Sequence, residues 1–288
     1  GVTSLFQKDD SSRKGFGPFP DGTLWVPYND IHALEETFTA YKDRIAGVLL
    51  EPIQGEGGII IPDSDYLLKV RELCSWHNAL LILDEIQTGF GRTGKNFAFE
   101  HSGVTPDILL LAKALGGGAV PASAILGRKD VLLDCGTKEY DVLSYLAIDG
   151  AGEEGATWAG SALVSTAILA SIKELCDERL AERAAENGAR FIAELKKLKR
   201  KYPLITDVRG KGLMVGVDFA APPAEGPLFS VKGLKGRSVS YALLREGVWA
   251  YYTGETGQTL RFLPPLATPP EVLSEVVLRL ERAIQSFI

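Results

Sequence analysis

The segment ALLILDEIQTGFGRTGKNFAFEHSGVTPDILLLAKALGGGAVPASAILGR, residues 79–128, decides the fold. It predicts three buried strands, over residues 80–83, 108–111 and 122–126, because short apolar runs bounded by turn residues are typical of parallel strands covered on both faces. In open α/β sheets the chemistry lies beyond the carboxyl ends of the strands. Asp84 follows the first strand and Lys113 follows the second, so we expect a carboxylate and an amine to face one cleft.

The sequence before this segment extends the same pattern. Asn29 or Asp30 is a predicted N-cap for a helix over residues 31–41. A strand over residues 47–52 follows, and then an amphipathic helix over residues 63–76. Strand and helix therefore alternate as they do in parallel sheets, which predicts an α/β protein with a mostly parallel sheet.

After this segment the sequence no longer alternates between strands and helices. One long helical pattern runs from Ser161 to about Lys201 and is interrupted at Gly188, and beyond Pro203 short strands mix with two helices. We predict a large domain over residues 1–178 and a smaller α+β domain over residues 179–288. The chain begins at Gly1, and its first residues do not resemble a domain start, so we expect that N-terminal sequence is missing.

Composition excludes several classes of function. The chain has 288 residues, 45% of them hydrophobic, and a net charge of -6, which argues against nucleic acid or an anionic membrane as the main partner. No apolar run reaches membrane-spanning length, and the three histidines lack metal-ligand spacing. Three distant cysteines favour a reducing compartment, which leaves cytoplasm and mitochondrion open.

Two interpretations of the central segment compete. Residues 89–95 match the phosphate-binding pattern GxxxxGK, but Asn96 stands where a magnesium ligand, Ser or Thr, is required. The second interpretation uses Asp84 and Lys113 together. A lysine in a tight, partly desolvated pocket has a lowered pKa and can form a Schiff base, and a carboxylate beside it can hold a pyridinium nitrogen. The residues alone leave open a surface lysine at Lys113 and a strand-end cap or a salt bridge with Arg92 at Asp84.

Four linked motifs resolve this choice. EPIQGEGG (51–58), LDEIQTGFGRTGK (83–95), PDILLLAKALGGG (106–118) and LRFLPP (260–265) together resemble the class III, ornithine/acetylornithine-type aminotransferases, which are pyridoxal-phosphate enzymes of fold type I. The resemblance covers nearly the whole chain, with the motifs in order. It implies a large cofactor domain with a mostly parallel sheet and a smaller α+β C-terminal domain.

The resemblance implies roles for the cofactor-binding residues. Lys113 matches the lysine that forms the Schiff base and moves the proton. Asp84 matches the carboxylate on the pyridine nitrogen, Ile86 the aliphatic residue on one ring face, and Gln87 the amide near the phenolic oxygen. On an extended segment Asp84 and Ile86 would point to the same side. Thr157 matches the threonine that reaches the phosphate in the neighbouring subunit, which implies a homodimer with shared active sites.

The resemblance also implies how substrates are held. Arg261 matches the arginine that grips the α-carboxylate of glutamate or 2-oxoglutarate, and Glu56 matches the glutamate that masks it when a distal amine reacts. Glu51 is a nearby acidic residue. The implied reaction moves an ω-amino group of an ornithine-like or acylated diamine donor to 2-oxoglutarate.

Two other functions remain open at this point. The family's HGSTYGGNPL appears here as EGATWAGSAL, with Glu154 in place of the histidine, and the family's phosphate loop is expected in the missing N-terminal part. Both departures favour a truncated or non-catalytic relative that acts as a scaffold or partner subunit. A racemase, mutase or decarboxylase would use the same cofactor, and Arg261 with Glu56 favours transamination over these.

Overall fold

The structure is a computed structural model that describes residues 21–132, 160–220, 235–254 and 256–287. Within these ranges seven helices and eight strands are assigned. They are, in chain order, α1 (Ile31–Tyr41), β1 (Gly47–Leu50), α2 (Tyr66–Trp76), β2 (Leu80–Asp84), β3 (Ile108–Leu111), β4 (Ala124–Gly127), α3 (Lys129–Leu132), α4 (Ala162–Asp177), α5 (Leu180–Lys201), β5 (Ile205–Lys211), β6 (Met214–Phe219), α6 (Lys235–Arg245), β7 (Tyr251–Thr253), β8 (Thr259–Phe262) and α7 (Pro270–Gln285). In this part of the chain no helix is long and apolar enough to cross a membrane.

The first sheet has the strand order β1-β2-β3-β4. The first three strands are parallel, and their alternate apolar residues join α1 and α2 in one core. Asp30 caps α1 as predicted, because its side chain accepts a hydrogen bond from Ala33 N. The main buried members of this core are Leu34, Phe38, Val70, Cys74, Leu81, Leu83, Leu109 and Leu111. The parallel arrangement brings the carboxyl ends of β2 and β3 to one edge.

The prediction of a third buried parallel strand was wrong. β4 begins at Ala124, pairs antiparallel with β3, and leaves Ile125 and Leu126 about half exposed in the described chain. An apolar run does not show whether a strand is parallel or antiparallel to its neighbour. That depends on the path of the connection before the strand.

The predicted long helix is two helices, and its break is not at Gly188. α4 ends at Asp177, and α5 begins at Leu180 after Arg179, which has φ +50°. Gly188 lies inside α5 and is buried among neighbouring backbone. Lys199, Arg200 and Lys201 lie in the last turn of α5, where positive charges interact favourably with the negative end of the helix dipole.

The second sheet is antiparallel throughout, in the order β5-β6-β8-β7. α5, α6 and α7 cover it and complete a separate core, whose largest buried residues include Phe191, Leu195, Leu213, Phe219, Leu243, Leu260 and Leu280. Two cores in one chain accord with two domains, and the boundary at residue 178 stays a prediction.

A close backbone contact joins the two halves of the chain. A Cβ added to Gly188 in α5 would lie 2.0 Å from Gly212 O, and one added to Gly212, which has φ +55°, would lie 2.4 Å from the carbonyl carbon of Thr93. Leu213 N also donates to Arg92 O at 3.0 Å. The turn between β5 and β6 is therefore packed between α5 and the segment after β2.

We expect Gly188→Ala to destabilise the protein by about 2–3 kcal/mol, since its methyl group meets backbone that cannot move aside alone. In an exposed helix position the same change would stabilise by roughly 0.5–1 kcal/mol. Chemical denaturation measures the difference, with Glu186→Ala on the exposed face of α5 as the control. Equal or greater stability of Gly188→Ala would contradict this contact.

Candidate active site

Asp84 and Lys113 lie at the carboxyl ends of adjacent parallel strands, as predicted. Asp84 is the last residue of β2, and Lys113 follows β3 by two residues and opens a short 3₁₀ turn that ends at Gly116. Lys113 has φ +46°, a conformation that non-glycine residues rarely adopt and that occurs at functional sites. Burial lowers the pKa of Lys113, and the negative charges of Glu56, Glu51 and Asp84 oppose this shift.

The Asp84 carboxylate accepts a hydrogen bond from the main chain just beyond the end of β2. Its Oδ1 accepts from Ile86 N at 2.9 Å, burial raises its pKa, and the Lys113 charge lowers it in part. The expected extended path to Ile86 was wrong, because the strand ends at Asp84 and the chain then turns. Arg92 does not pair with Asp84; it donates to Leu213 O at 3.2 Å and to Pro264 O at 2.6 Å.

Glu85 has a structural role that was not predicted from the sequence. It is fully buried and accepts from Thr88 Oγ1, from Ala98 N at 2.9 Å and from Phe99 N at 2.8 Å. Glu85 therefore ties down the segment after β2 through these three hydrogen bonds, while Asp84 ends the strand. No local pattern in the sequence signals this role, because two of the three donors lie more than ten residues away.

Arg261, on β8 of the second sheet, contacts Glu56, which lies in the loop after β1 of the first sheet. Arg261 Nη1 donates to Glu56 Oε1, and Gln87 Nε2 donates to the same oxygen at 2.8 Å. The Arg261 side chain is 13% exposed and that of Glu56 is 61% exposed, and the Arg261 guanidinium lies 5.7 Å from the ring centre of Tyr251. Burial alone would raise the pKa of Glu56, but the hydrogen bonds from Arg261 and Gln87 outweigh it and lower that pKa.

Glu51 lies beside this group. Its Oε2 accepts from Gly55 N at 2.9 Å, and Tyr28 donates its hydroxyl to Glu51 O and Pro52 O, both at 3.0 Å. Burial raises the pKa of Glu51 to about 7, and the charge of Asp84 adds to this rise. Glu51 thus anchors the turn that carries Glu56 and holds its own proton more firmly than an exposed glutamate.

The backbone of Glu56 is held from the second sheet, which the sequence analysis did not anticipate. Thr253 Oγ1 and Gly254 N both donate to Glu56 O, the latter at 3.1 Å. Thr253 closes β7, next to the strand that carries Arg261. No short motif announces this contact, because its partners are almost 200 residues apart.

Thr157 and Glu154 lie outside the described residues, and their roles stay predictions. Within the described ranges no group of three or more His, Cys, Asp or Glu side chains could hold a metal ion. The site instead offers the carboxylates of Asp84, Glu51 and Glu56, the amine of Lys113 and the guanidinium of Arg261.

These residues fit pyridoxal phosphate. Asp84 is partly buried and Lys113 is exposed. Each charge acts on the other, and neither side chain forms an ion pair with any residue that the structure describes. A partly buried carboxylate favours a cationic partner, so a pyridinium nitrogen suits Asp84, and an aldehyde suits the accessible amine of Lys113. The cluster has the residues of a pyridoxal-phosphate enzyme on an α/β fold.

Comparison with known proteins identifies the family. A model described as Aminotransferase class-III matches residues 1–284. The chain is 42% identical over 279 residues to a mitochondrial ornithine aminotransferase of Oryza sativa, covering 96% of this chain and 53% of that protein. It is 40% identical over 263 residues to an acetylornithine aminotransferase of Methanocaldococcus jannaschii, covering 91% and 58%.

Solved structures agree with the sequence relatives. An ornithine aminotransferase from Toxoplasma gondii, in a structure reporting partial occupancy of PLP at its active site, has a TM-score of 0.81 and 34% identity, covering 95% of this chain and 58% of that one. An acetylornithine aminotransferase from Elizabethkingia anophelis has a TM-score of 0.79 and 36% identity, covering 93% and 64%. The chain belongs to the class III aminotransferase family. It spans little more than half the length of the two sequence relatives.

Proposed function

We propose that this protein moves an ω-amino group from an ornithine-like or acylated diamine donor to 2-oxoglutarate, with pyridoxal phosphate as its cofactor. The observation that carries the proposal is the contact of Arg261 with Glu56 and Gln87, beside Lys113 and Asp84 at the strand ends. Family membership and relatives named for ornithine and acetylornithine support the choice of donor.

Lys113, Asp84, Ile86 and Gln87 would hold the cofactor. When bound, pyridoxal phosphate supplies an electron sink for breaking bonds at the carbon that bears the amine. Lys113 Nζ holds the cofactor and moves the proton to and from that carbon, for which a lowered pKa is suited. Asp84 keeps a positive charge on the ring nitrogen, and its burial strengthens that interaction.

Arg261 and Glu56 would let one site take two differently charged substrates. The guanidinium of Arg261 can bind a carboxylate with two parallel hydrogen bonds, as the α-carboxylate of 2-oxoglutarate requires. When the distal amine of the donor reacts, Glu56 stays on Arg261 and neutralises it. Because Glu56 is more than half exposed, its side chain can leave without opening the core.

We also propose that the protein acts as a homodimer. The support is the resemblance of Thr157 to a threonine that reaches the phosphate in the neighbouring subunit. The second candidate function is that of a non-catalytic relative that serves as a scaffold or partner subunit, and Glu154 at the family's histidine position favours it.

An absorbance titration of the purified chain distinguishes the two functions. We expect pyridoxal phosphate to produce a visible band of the bound cofactor that ornithine bleaches and 2-oxoglutarate restores. A chain that gives no band, or a band that no amine changes, would favour the non-catalytic relative. Analytical ultracentrifugation of the same sample tests the dimer.

A further inference from the structure

We propose that Arg209 is a positioning residue that keeps Glu56 on Arg261 by holding the main chain of residues 55–59, named here the Glu56 loop. The inference rests on the proposed function, in which Glu56 controls access to Arg261. Arg209 lies on β5 of the second sheet and donates hydrogen bonds to main-chain oxygens of this loop.

The Glu56 loop has a backbone that needs external support. Ile59 is fully buried and has φ +55°, and Gly58 has φ +119°. A β-branched residue in the left-handed region is strained, and such strain persists only where surrounding contacts enforce it. The loop therefore depends on the groups that bind its peptide oxygens.

Arg209 binds those oxygens directly. Its Nε donates to Ile59 O at 2.9 Å and to Gly58 O at 3.1 Å, and its Nη2 also donates to Gly58 O. The other side of the guanidinium is fixed by Asp218, with Nη1 to Oδ2 at 2.8 Å and Nη2 to Oδ1 at 3.0 Å. A guanidinium has five N–H donors in one plane, so it can bind the loop oxygens along one edge and the Asp218 carboxylate along another.

The loop transmits this support to Glu56 as one unit. Gly58 N and Ile59 N donate to Gly55 O at 3.2 and 3.3 Å, so the residues that Arg209 holds are bonded to the residue before Glu56. Thr253 Oγ1 and Gly254 N, also from the second half of the chain, donate to Glu56 O. Without the Arg209 contacts, we expect the loop to relax and the Glu56 carboxylate to leave Arg261 more often.

Arg209→Lys tests this inference with little change in charge. An ammonium can still pair with Asp218, but it cannot also reach two carbonyl oxygens in a fixed fork. Arg71→Lys is the matched control, because Arg71 on α2 pairs with the buried Asp107, the residue before β3, and does not contact the Glu56 loop. Arg209→Gln is a second variant if the lysine variant does not fold.

Hydrogen exchange gives a readout that does not depend on activity. In the full chain we expect the amides of residues 54–60 to exchange about tenfold faster in Arg209→Lys, with the rest of the second sheet unchanged. Arg71→Lys should leave this peptide at the wild-type rate. Unchanged exchange in the loop, or uniform acceleration across the second sheet, would overturn the proposal.

Substrate preference gives the readout that a purely structural role would not move. We expect the ratio of kcat/KM for ornithine to that for glutamate to fall about fivefold in Arg209→Lys, because a freed Arg261 accepts the α-carboxylate of glutamate. In a Glu56→Gln background the Arg209 change should leave this ratio unaltered. An equal effect in both backgrounds would refute positioning through Glu56.

A wild-type chain that uses neither donor would refute the proposed function, and hydrogen exchange would then decide the role of Arg209.

Discussion

Replacement of Lys113 by alanine is expected to abolish transamination and covalent retention of the cofactor. The loss in kcat should be at least about 1,000-fold, since no other described amine lies at the carboxyl end of β3 to carry the proton. Borohydride reduction followed by intact-mass measurement detects the retained cofactor: wild-type protein should gain its mass and Lys113→Ala should not.

Lys95→Ala is the control for this experiment. Lys95 is exposed and belongs to the segment that matches a phosphate-binding loop in sequence, but only a short 3₁₀ turn over Ala98–His101 follows it, not the helix that such a loop requires. We expect Lys95→Ala to keep activity and the adduct. The reverse pattern, an active Lys113→Ala and an inactive Lys95→Ala, would overturn the assignment of the site.

Replacement of Arg261 by glutamine is expected to reduce kcat/KM for 2-oxoglutarate by about 100-fold, because a fully charged, two-point contact with a carboxylate is lost. Rates measured separately for each half of the reaction should show a much smaller effect with ornithine, whose distal amine reacts while Arg261 is covered. The pKa of Glu56 should rise, since a hydrogen bond from Arg261 is what chiefly opposes the effect of burial.

Arg282→Gln controls for loss of an arginine in the same half of the chain. Arg282 lies on α7 and forms an exposed pair with Glu246, a kind of pair that contributes little. Its replacement should leave both half-reactions unchanged. Equal losses with both substrates in Arg261→Gln would indicate a folding defect or a general role, and would contradict substrate selection by this residue.

The site depends on contacts that hold the two halves of the chain together. Lys113, Asp84 and Glu56 come from the first half of the chain, and Arg261 comes from β8. The contact of Gly188 with Gly212, and the hydrogen bonds of Arg92 to Leu213 O and Pro264 O, fix the distance between them. Burial lowers the pKa of Arg92 to about 10, so this arginine keeps its charge at neutral pH while its hydrogen bonds replace water.

Local sequence predicted most elements of the fold. The apolar runs of β2 and β3 and the cap at Asp30 follow from interactions within a few residues. The same reasoning failed for the direction of β4 and for the break between α4 and α5. Both depend on packing with distant parts of the chain, and Gly188 was misinterpreted because its small size serves a contact with Gly212, not a helix end.

The sequence by itself determined the family and the positions of Lys113 and Asp84, because strand ends in a parallel sheet meet at one edge whatever the details. Only the tertiary structure decided what Glu56 and Arg92 contact. Glu56 is bound by Arg261 through its side chain and by Thr253 through its backbone, and Arg92 binds carbonyl oxygens in place of Asp84. Such contacts join residues more than a hundred positions apart, and their geometry depends on how two separately packed cores meet.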